Sequence, residues 1–213
     1  RWVYPHAGTE AWDHLYVSER DNLHSSPAIR FAAAKLFDLT SFGVSDMDYI
    51  DLYSCFPAAV QVSANEIGIP QDRPLTVTGG LTFAGGPLNN YVMHSVARTV
   101  DLLRANPGSR GLVTANGGLL TKHALCIYST TPPERPFAWA DLQADVDATL
   151  RRKVTVDHDG GVTVESYVVM YGPDGAPNVA HAACLLDDGS RTWANIDDLD
   201  TVGAMMTEHP NTS

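Results

Sequence analysis

The stretch Thr78-Gly79-Gly80-Leu81-Thr82-Phe83-Ala84-Gly85-Gly86-Pro87-Leu88-Asn89-Asn90-Tyr91 sets four glycines and a proline between a predicted strand and a predicted helix. Glycine permits positive φ and close approach of other groups to the backbone, and proline is tolerated in a first helical turn, where its missing N–H is no loss. The free N–H groups at such a helix start point at whatever lies above the sheet edge. A ligand site at this joint is the expectation.

Working outward, Trp2–Thr9 reads as a strand, followed by an irregular polar segment from Glu10 to Ser26. Ser25 or Ser26 caps a helix with Pro27 in its first turn, and Ile29, Ala32, Ala33, Leu36 and Phe37 recur along one face. Tyr49–Tyr53 is a short strand, Phe56–Ile67 a helix stopped by Gly68, and Leu75–Thr78 a third strand. After the glycine joint a helix over Leu88–Ala105 is predicted to bury Val92, Val96, Val100 and Leu103. Gly111–Thr114 and His123–Ser129 follow as strands joined through Asn116-Gly117-Gly118. The order β-α-β-α-β-α-β-β predicts an α/β domain with a mixed five-stranded sheet covered by helices. Ligands sit beyond the carboxyl ends of strands in such sheets, so the turns at 53–56, 79–90 and 115–118 are expected to converge on one pocket.

The texture changes at Thr131-Pro132-Pro133-Glu134-Arg135-Pro136. The expected organisation is a domain over 1–130, a linker and helix over 131–150 (the helix near Trp139–Leu150), and a small antiparallel, barrel-like β domain in the manner of OB folds over 151–213. Its predicted strands are 153–156, 162–171, 180–186 and 191–196, turned at His158–Gly161, Gly172–Gly175 and Asp187–Ser190; a short helix and a frayed end follow Asp197.

Composition excludes several classes. The 213 residues carry a formal charge of −11, which opposes nucleic-acid binding because phosphate contacts need a basic surface. Residues 145–213 hold 12 acidic and 4 basic side chains, a net −8, so Tyr167, Tyr171 and Trp193 read as half-buried sheet residues rather than a base-stacking platform. No apolar run approaches the roughly 20 residues of a membrane span. No signal-peptide pattern opens the chain, and a cytoplasmic location is expected. Cys55, Cys126 and Cys184 are widely spaced without a CxxC pair, so neither a disulfide framework nor a zinc site is expected. His6, Asp13, His14 and His24 lack metal-ligand spacing and read as loop polar groups. The opening at Arg1, almost directly into a strand, leads to the expectation of an upstream portion.

Three short motifs in register then carry a family resemblance. Tyr53-Ser54-Cys55-Phe56, Gly79-Gly80-Leu81-Thr82-Phe83-Ala84-Gly85-Gly86-Pro87 and Ala115-Asn116-Gly117-Gly118 resemble the N-E-A-F (or H-D-C-F), G-G-x-x-x-x-G-H-P-x-G and C-x-G-G-G motifs in the C-terminal half of the thiolase superfamily. The match covers roughly residues 1–130. The nearest group is the type 1 thiolase-like, acetyl-CoA acetyltransferase-like proteins, whose extra C-terminal β domain resembles residues from about 135 onward.

The resemblance implies a CoA thioester as substrate or ligand, no other cofactor, no metal, and a missing N-terminal thiolase half upstream. It places Cys55 and Phe56 where thiolases pack the pantetheine arm, and Gly80, Gly85, Gly86, Asn116 and Gly117 along the thioester. The departures are equally specific. Gly86 stands at the family histidine, Asn116 (or Ala115, if the gap falls differently) at the family cysteine, and Tyr53 at the Asn or His of the first motif. Glycine and asparagine are not bases near neutral pH, so classical condensation is expected to be lost.

Remaining acid/base candidates are Tyr53, as a donor or, with a lowered pKa, a base, then His123 and His94. Each has a plainer reading: an anchoring phenol, a strand histidine outside the pocket, and a satisfied or solvated helix histidine. A CoA-thioester carbon–carbon lyase of retro-aldol type, and a non-catalytic acyl-CoA or lipid-binding subunit that docks a protein through its β domain, are the alternative functions.

Overall fold

The computed structural model describes residues 1–207; the predicted frayed end lies outside them. Contacts divide the chain into two units, one of residues 1–15 and 24–149, the other of 16–23 and 150–213.

The first unit contains β1 (Tyr4–Trp12), α1 (Pro27–Thr40), β2 (Tyr49–Asp51), α2 (Pro57–Ile67), α3 (Leu81–Ala84), α4 (Tyr91–Ala105), β3 (Arg110–Gly117), β4 (Lys122–Ser129), β5 (Ala138–Asp141) and α5 (Gln143–Asp147). The strands form a five-stranded sheet in the order β2-β3-β4-β1-β5. The β2–β3 and β1–β5 pairs are parallel and the other two antiparallel, so the sheet is mixed, as expected.

Helix α1 begins where its capping chemistry dictates. The Ser26 hydroxyl accepts from Ile29 N at 3.2 Å, with Pro27 in the first turn. Its buried face, Ile29, Ala32, Ala33 and Leu36, packs on Ile50, Leu112, Leu125 and Ile127 of the sheet. Pro57 opens α2, and Gly68, at φ 78°, closes it in the left-handed region.

Three features differ from the sequence reading. Leu75–Thr78 is not a strand and bends at Val77–Thr78: Leu52 N reaches Leu75 O at 2.9 Å, while the Val77 and Thr78 amides are taken by the Asp51 carboxylate. The fifth strand is β5, in the segment read as linker and helix, which pairs Ala7–Glu10 with Ala138–Asp141. The helix expected at Trp139–Leu150 is reduced to α5. The third difference is the inward face of α4, which is Tyr91, Ser95, Thr99 and Leu103, with Val92, Val96 and Val100 half-buried.

Close approach of α4 to β3 explains that face. A Cβ on Gly111 would lie 2.5 Å from Thr99 Cγ2, so the helix seats against a bare backbone and small side chains are required there. Gly111→Ala is therefore expected to destabilise the protein by about 1–3 kcal/mol through overpacking. Adding Thr99→Ala should recover most of this, since it removes both the clashing methyl and a buried hydroxyl without a partner. Urea denaturation of the single and double variants checks the coupling; additive losses would count against the contact.

The second unit contains β6 (Thr163–Tyr171), β7 (Pro177–Leu185), β8 (Arg191–Ile196) and α6 (Leu199–Thr207). Its strands form a three-stranded antiparallel sheet, β6-β7-β8. The turns at 172–175 and 187–190 connect hairpins as expected. The segment 153–156 makes one isolated bridge, Val154 to Arg191, instead of a strand, so His158–Gly161 does not turn a hairpin. Residues 16–23 join this unit through Arg191, whose buried guanidinium bonds the Ser18, Arg20 and Asp21 carbonyls and, bidentately, Glu165.

Candidate functional site

The glycine joint hangs from one buried carboxylate. Asp51, the last residue of β2, is fully buried. Its Oδ1 accepts from Ser95 Oγ at 2.5 Å and Tyr91 OH at 3.2 Å; its Oδ2 accepts from Val77 N at 2.9 Å, Thr78 N at 3.2 Å and Thr78 Oγ1 at 3.1 Å. A buried charge is tolerated when its lone pairs are filled in this way. Thr78 Oγ1 also accepts from Gly80 N at 3.1 Å, which fixes the entry to the joint.

The turn after β2 meets that loop backbone to side chain. Leu81 N donates to Ser54 Oγ at 3.2 Å, and a Cβ on Gly80 would come within 2.8 Å of the same hydroxyl. With φ at 81°, Gly80 is required both by conformation and by space. Asn116, expected in a turn at 115–118, lies instead in β3, which stays paired with β4 to Gly117 before the chain turns at 118–121; its Nδ2 donates to Cys55 Sγ at 3.3 Å and ties the end of that strand to the first turn. The turn at 53–56 thus contacts both other segments singled out in the sequence, the glycine joint and the end of β3.

Tyr53 N donates to Thr114 Oγ1 at 2.9 Å, and its ring stands edge-on to Tyr91 with centroids 5.1 Å apart. Burial pushes the Tyr53 phenol above its ordinary pKa, with Cys55 and Tyr91 adding to the shift. The lowered pKa considered for a tyrosine base is therefore not found; Tyr53 is a proton donor at neutral pH. His94 lies half-buried, its Nδ1 3.1 Å from Ala84 O. A carbonyl only accepts, so His94 Nδ1 is the donor in this contact.

His123 is placed differently. It pairs with Asn116 across β3 and β4, but its ring is 2% exposed and Nε2 faces Asp13 Oδ2 at 3.5 Å. Asp13 also accepts from the Ser26 hydroxyl and, at 3.0 Å, from Ala28 N. Burial alone would raise the Asp13 carboxyl; His123, Ser26 and Ala28 together hold it below its ordinary value. This network fixes the start of α1. His123 Nε2 and Asn116 Oδ1 are both buried without a hydrogen-bond partner.

Gly85 has φ 78°, Gly86 faces Leu81 Cδ2, and Gly117 ends β3 opposite Lys122. Phe56 is 71% exposed beside Cys55. Pro87 precedes a 3₁₀ turn over Leu88–Asn90, so α4 starts at Tyr91, later than the sequence suggested. Sequence reasoning missed Asp51, Ser54, Thr78 and Ser95; an acidic residue closing a short apolar strand just before a motif was the available signal.

Burial pushes the Cys126 thiol up to about 11 and raises that of Cys184, so neither is a reactive thiol. His6 bonds Ser129 and His14 bonds Thr149. No group of three His, Cys, Asp or Glu suited to a metal occurs among the described residues. Nor is any helix among them long and apolar enough to cross a membrane.

Residues 141–211 match the model of the thiolase-like protein type 1 additional C-terminal domain. The whole chain is similar to the solved structure of a monomeric SCP2-thiolase like protein type 1 from Mycobacterium smegmatis, with 37% identity and a TM-score of 0.86. That similarity covers 98% of this chain and 46% of the relative, so the chain spans about half the length of the relative it matches. A search of curated proteins gave no match.

Proposed function

Starting from a chain that is thiolase-like, of the type 1 kind with its additional C-terminal domain, we propose that the three joined segments bind an acyl-CoA thioester and that ordinary thiolase condensation is lost. The observation that carries this reading is the Asn116 to Cys55 contact at 3.3 Å. It ties two of the segments at the position where the resemblance would set a catalytic cysteine, and it fills that position with an amide. An amide neither attacks a thioester nor removes an α-proton. In this reading the exposed Phe56 ring and the Cys55 side chain flank the pantetheine arm, and Gly80, Gly85 and Gly86 keep the backbone open to the thioester. The OB-like form and the partner-docking role expected of the second unit belong to the same proposal, supported by its antiparallel strands.

A second reading is favoured by the placement of Tyr53 and His94, whose rings both stand edge-on to Tyr91. A phenol held protonated by burial and an imidazole anchored through Nδ1 on Ala84 O are an acid and a base suited to retro-aldol cleavage of a β-hydroxyacyl thioester. The base takes the β-hydroxyl proton and the Cα–Cβ bond breaks to give a carbonyl product. The thioester enolate, stabilised by a donated hydrogen bond, is then protonated at Cα.

The test is titration calorimetry of the protein with CoA and acetyl-CoA, followed by incubation with acetoacetyl-CoA and CoA. Saturable binding is expected, with thiolysis about 10²–10⁴-fold below an enzyme that keeps its base. Turnover at the ordinary level of roughly 10 s⁻¹ would overturn the loss of condensation, and absence of binding would overturn the ligand assignment. Tyr53→Phe should abolish any lyase turnover and leave thioester affinity within about threefold.

A further inference from the structure

A second cleft lies at the other end of the same sheet. Arg110 opens β3 and Asn116 stands near its close, and strand geometry separates them by about 20 Å. The cleft encloses about 480 Å³ between the C-terminal end of α1, the ends of β1 and β4, and the segment Thr131–Pro136. That is within the usual range of small-molecule sites.

Its chemistry is cationic in a chain whose net charge is −11. Arg110 and Arg135 both line it, and neither takes part in an ion pair among the described residues. By contrast Arg30, Arg151, Arg152 and Arg191 each hold a carboxylate. The Arg110 guanidinium lies over the Phe42 ring at 4.3 Å from its centroid. The ring holds the cation without using up its N–H donors as an ion pair would, and those donors form the fork that matches carboxylate and phosphate oxygens in pairs.

The surroundings are preset. Phe42 also meets the His6 ring, with centroids 5.4 Å apart. The Ser129 hydroxyl donates to Thr131 O at 2.9 Å, so the 2.8 Å contact from His6 Nε2 to Ser129 Oγ is donated by the imidazole. Burial, with a contribution from the Arg110 charge, holds His6 below its ordinary pKa. Pro132, Pro133 and Pro136 stiffen the wall that carries Arg135. Glu134 is the one carboxylate in the lining.

We propose that this cleft is a binding site for a small anion bearing phosphate or carboxylate groups, gripped between Arg110 and Arg135. It is independent of the thioester reading, since it shares no residue with the three segments. The probes are inorganic pyrophosphate for the phosphate class and citrate for the carboxylate class, titrated calorimetrically into the full chain against sodium chloride at matched ionic strength. One probe is expected to bind saturably at one site per chain, at least tenfold more weakly in Arg110→Gln and in Arg135→Gln. Arg110→Lys should behave like Arg110→Gln, because a point charge cannot make the paired contact. If loss of the Phe42 stack unfolds the Arg110 variants, Arg135→Gln carries the test, since its side chain is exposed. Heats no larger than the chloride control with both probes, or affinity unchanged in the folded glutamine variants, would overturn the proposal.

Discussion

Replacing Arg191 by methionine is expected to destabilise the second unit by about 3–5 kcal/mol, the usual consequence of breaking a buried ion pair from one side. The guanidinium is fully buried. It holds Glu165 through Nε at 2.7 Å and Nη2 at 2.8 Å, and donates to Ser18 O at 2.8 Å, Arg20 O at 2.6 Å and Asp21 O at 3.2 Å. Methionine fills much of the volume, so the loss isolates the polar part: the Glu165 carboxylate and the Ser18 and Arg20 carbonyls lose this donor, while Asp21 O keeps Arg152 Nε. Hydrogen exchange of the β7 amides reports it locally. Protection reduced by less than tenfold would mean that water already serves those carbonyls. Adding Glu165→Met should recover part of the loss, because it removes the stranded charge, but not the part owed to the carbonyls.

The second large effect is expected at Asp51. Asp51→Ala strands two backbone N–H groups and three hydroxyls around a cavity, for a loss of about 3–5 kcal/mol. Asp51→Asn should cost markedly less. The Ser95 and Tyr91 hydroxyls can turn and accept from the new amide, whereas the Val77 and Thr78 N–H groups can only donate and will keep the remaining oxygen. The ranking alanine, then asparagine, then parent in urea denaturation, together with faster exchange at Val77 and Thr78 in the alanine variant alone, checks this geometry. An alanine variant within about 1 kcal/mol of the parent would show that the joint does not hang from Asp51. If the proposed thioester site is correct, CoA affinity should fall with the same ranking.

How far the sequence could be read depended on where each backbone amide finds its partner. Helix α1 was legible because its cap, its proline and its apolar face are local, and α2 because Pro57 and Gly68 bracket it. The turn at Cys55 was legible as a position, since glycine and polar clusters after apolar runs mark loops; Asn116 was placed in a turn but lies in β3, because its pairing with His123 carries the hairpin on to Gly117 before the chain turns at 118–121. Leu75–Thr78 was misread because its apolar, β-branched composition suits a strand while two of its amides are claimed by a side chain 26 and 27 residues away. Ala138–Asp141 has helix-tolerant composition and becomes a strand through pairing with β1, a non-local choice that propensity does not encode. On α4 the valines carry the hydrophobic signal, yet Gly111 and Asp51 select the small and hydroxyl-bearing side. Tyr53 was correctly placed at a turn next to Cys55; the direction of its pKa depended on burial that only the fold supplies.

The return of residues 16–23 to the second unit sets an order of events during synthesis. Arg191 binds the Asp21 carbonyl across a sequence separation of 170 residues, so that segment emerges from the ribosome long before its partner exists. At about 5–20 residues per second the wait is roughly 10–30 s, long compared with the collapse of a nascent domain. An early loop must therefore wait for its partners, and a chain that ended between Arg152 and Arg191 would keep the loop's bonds to Arg151 and Arg152 but not the buried guanidinium that gathers its carbonyls.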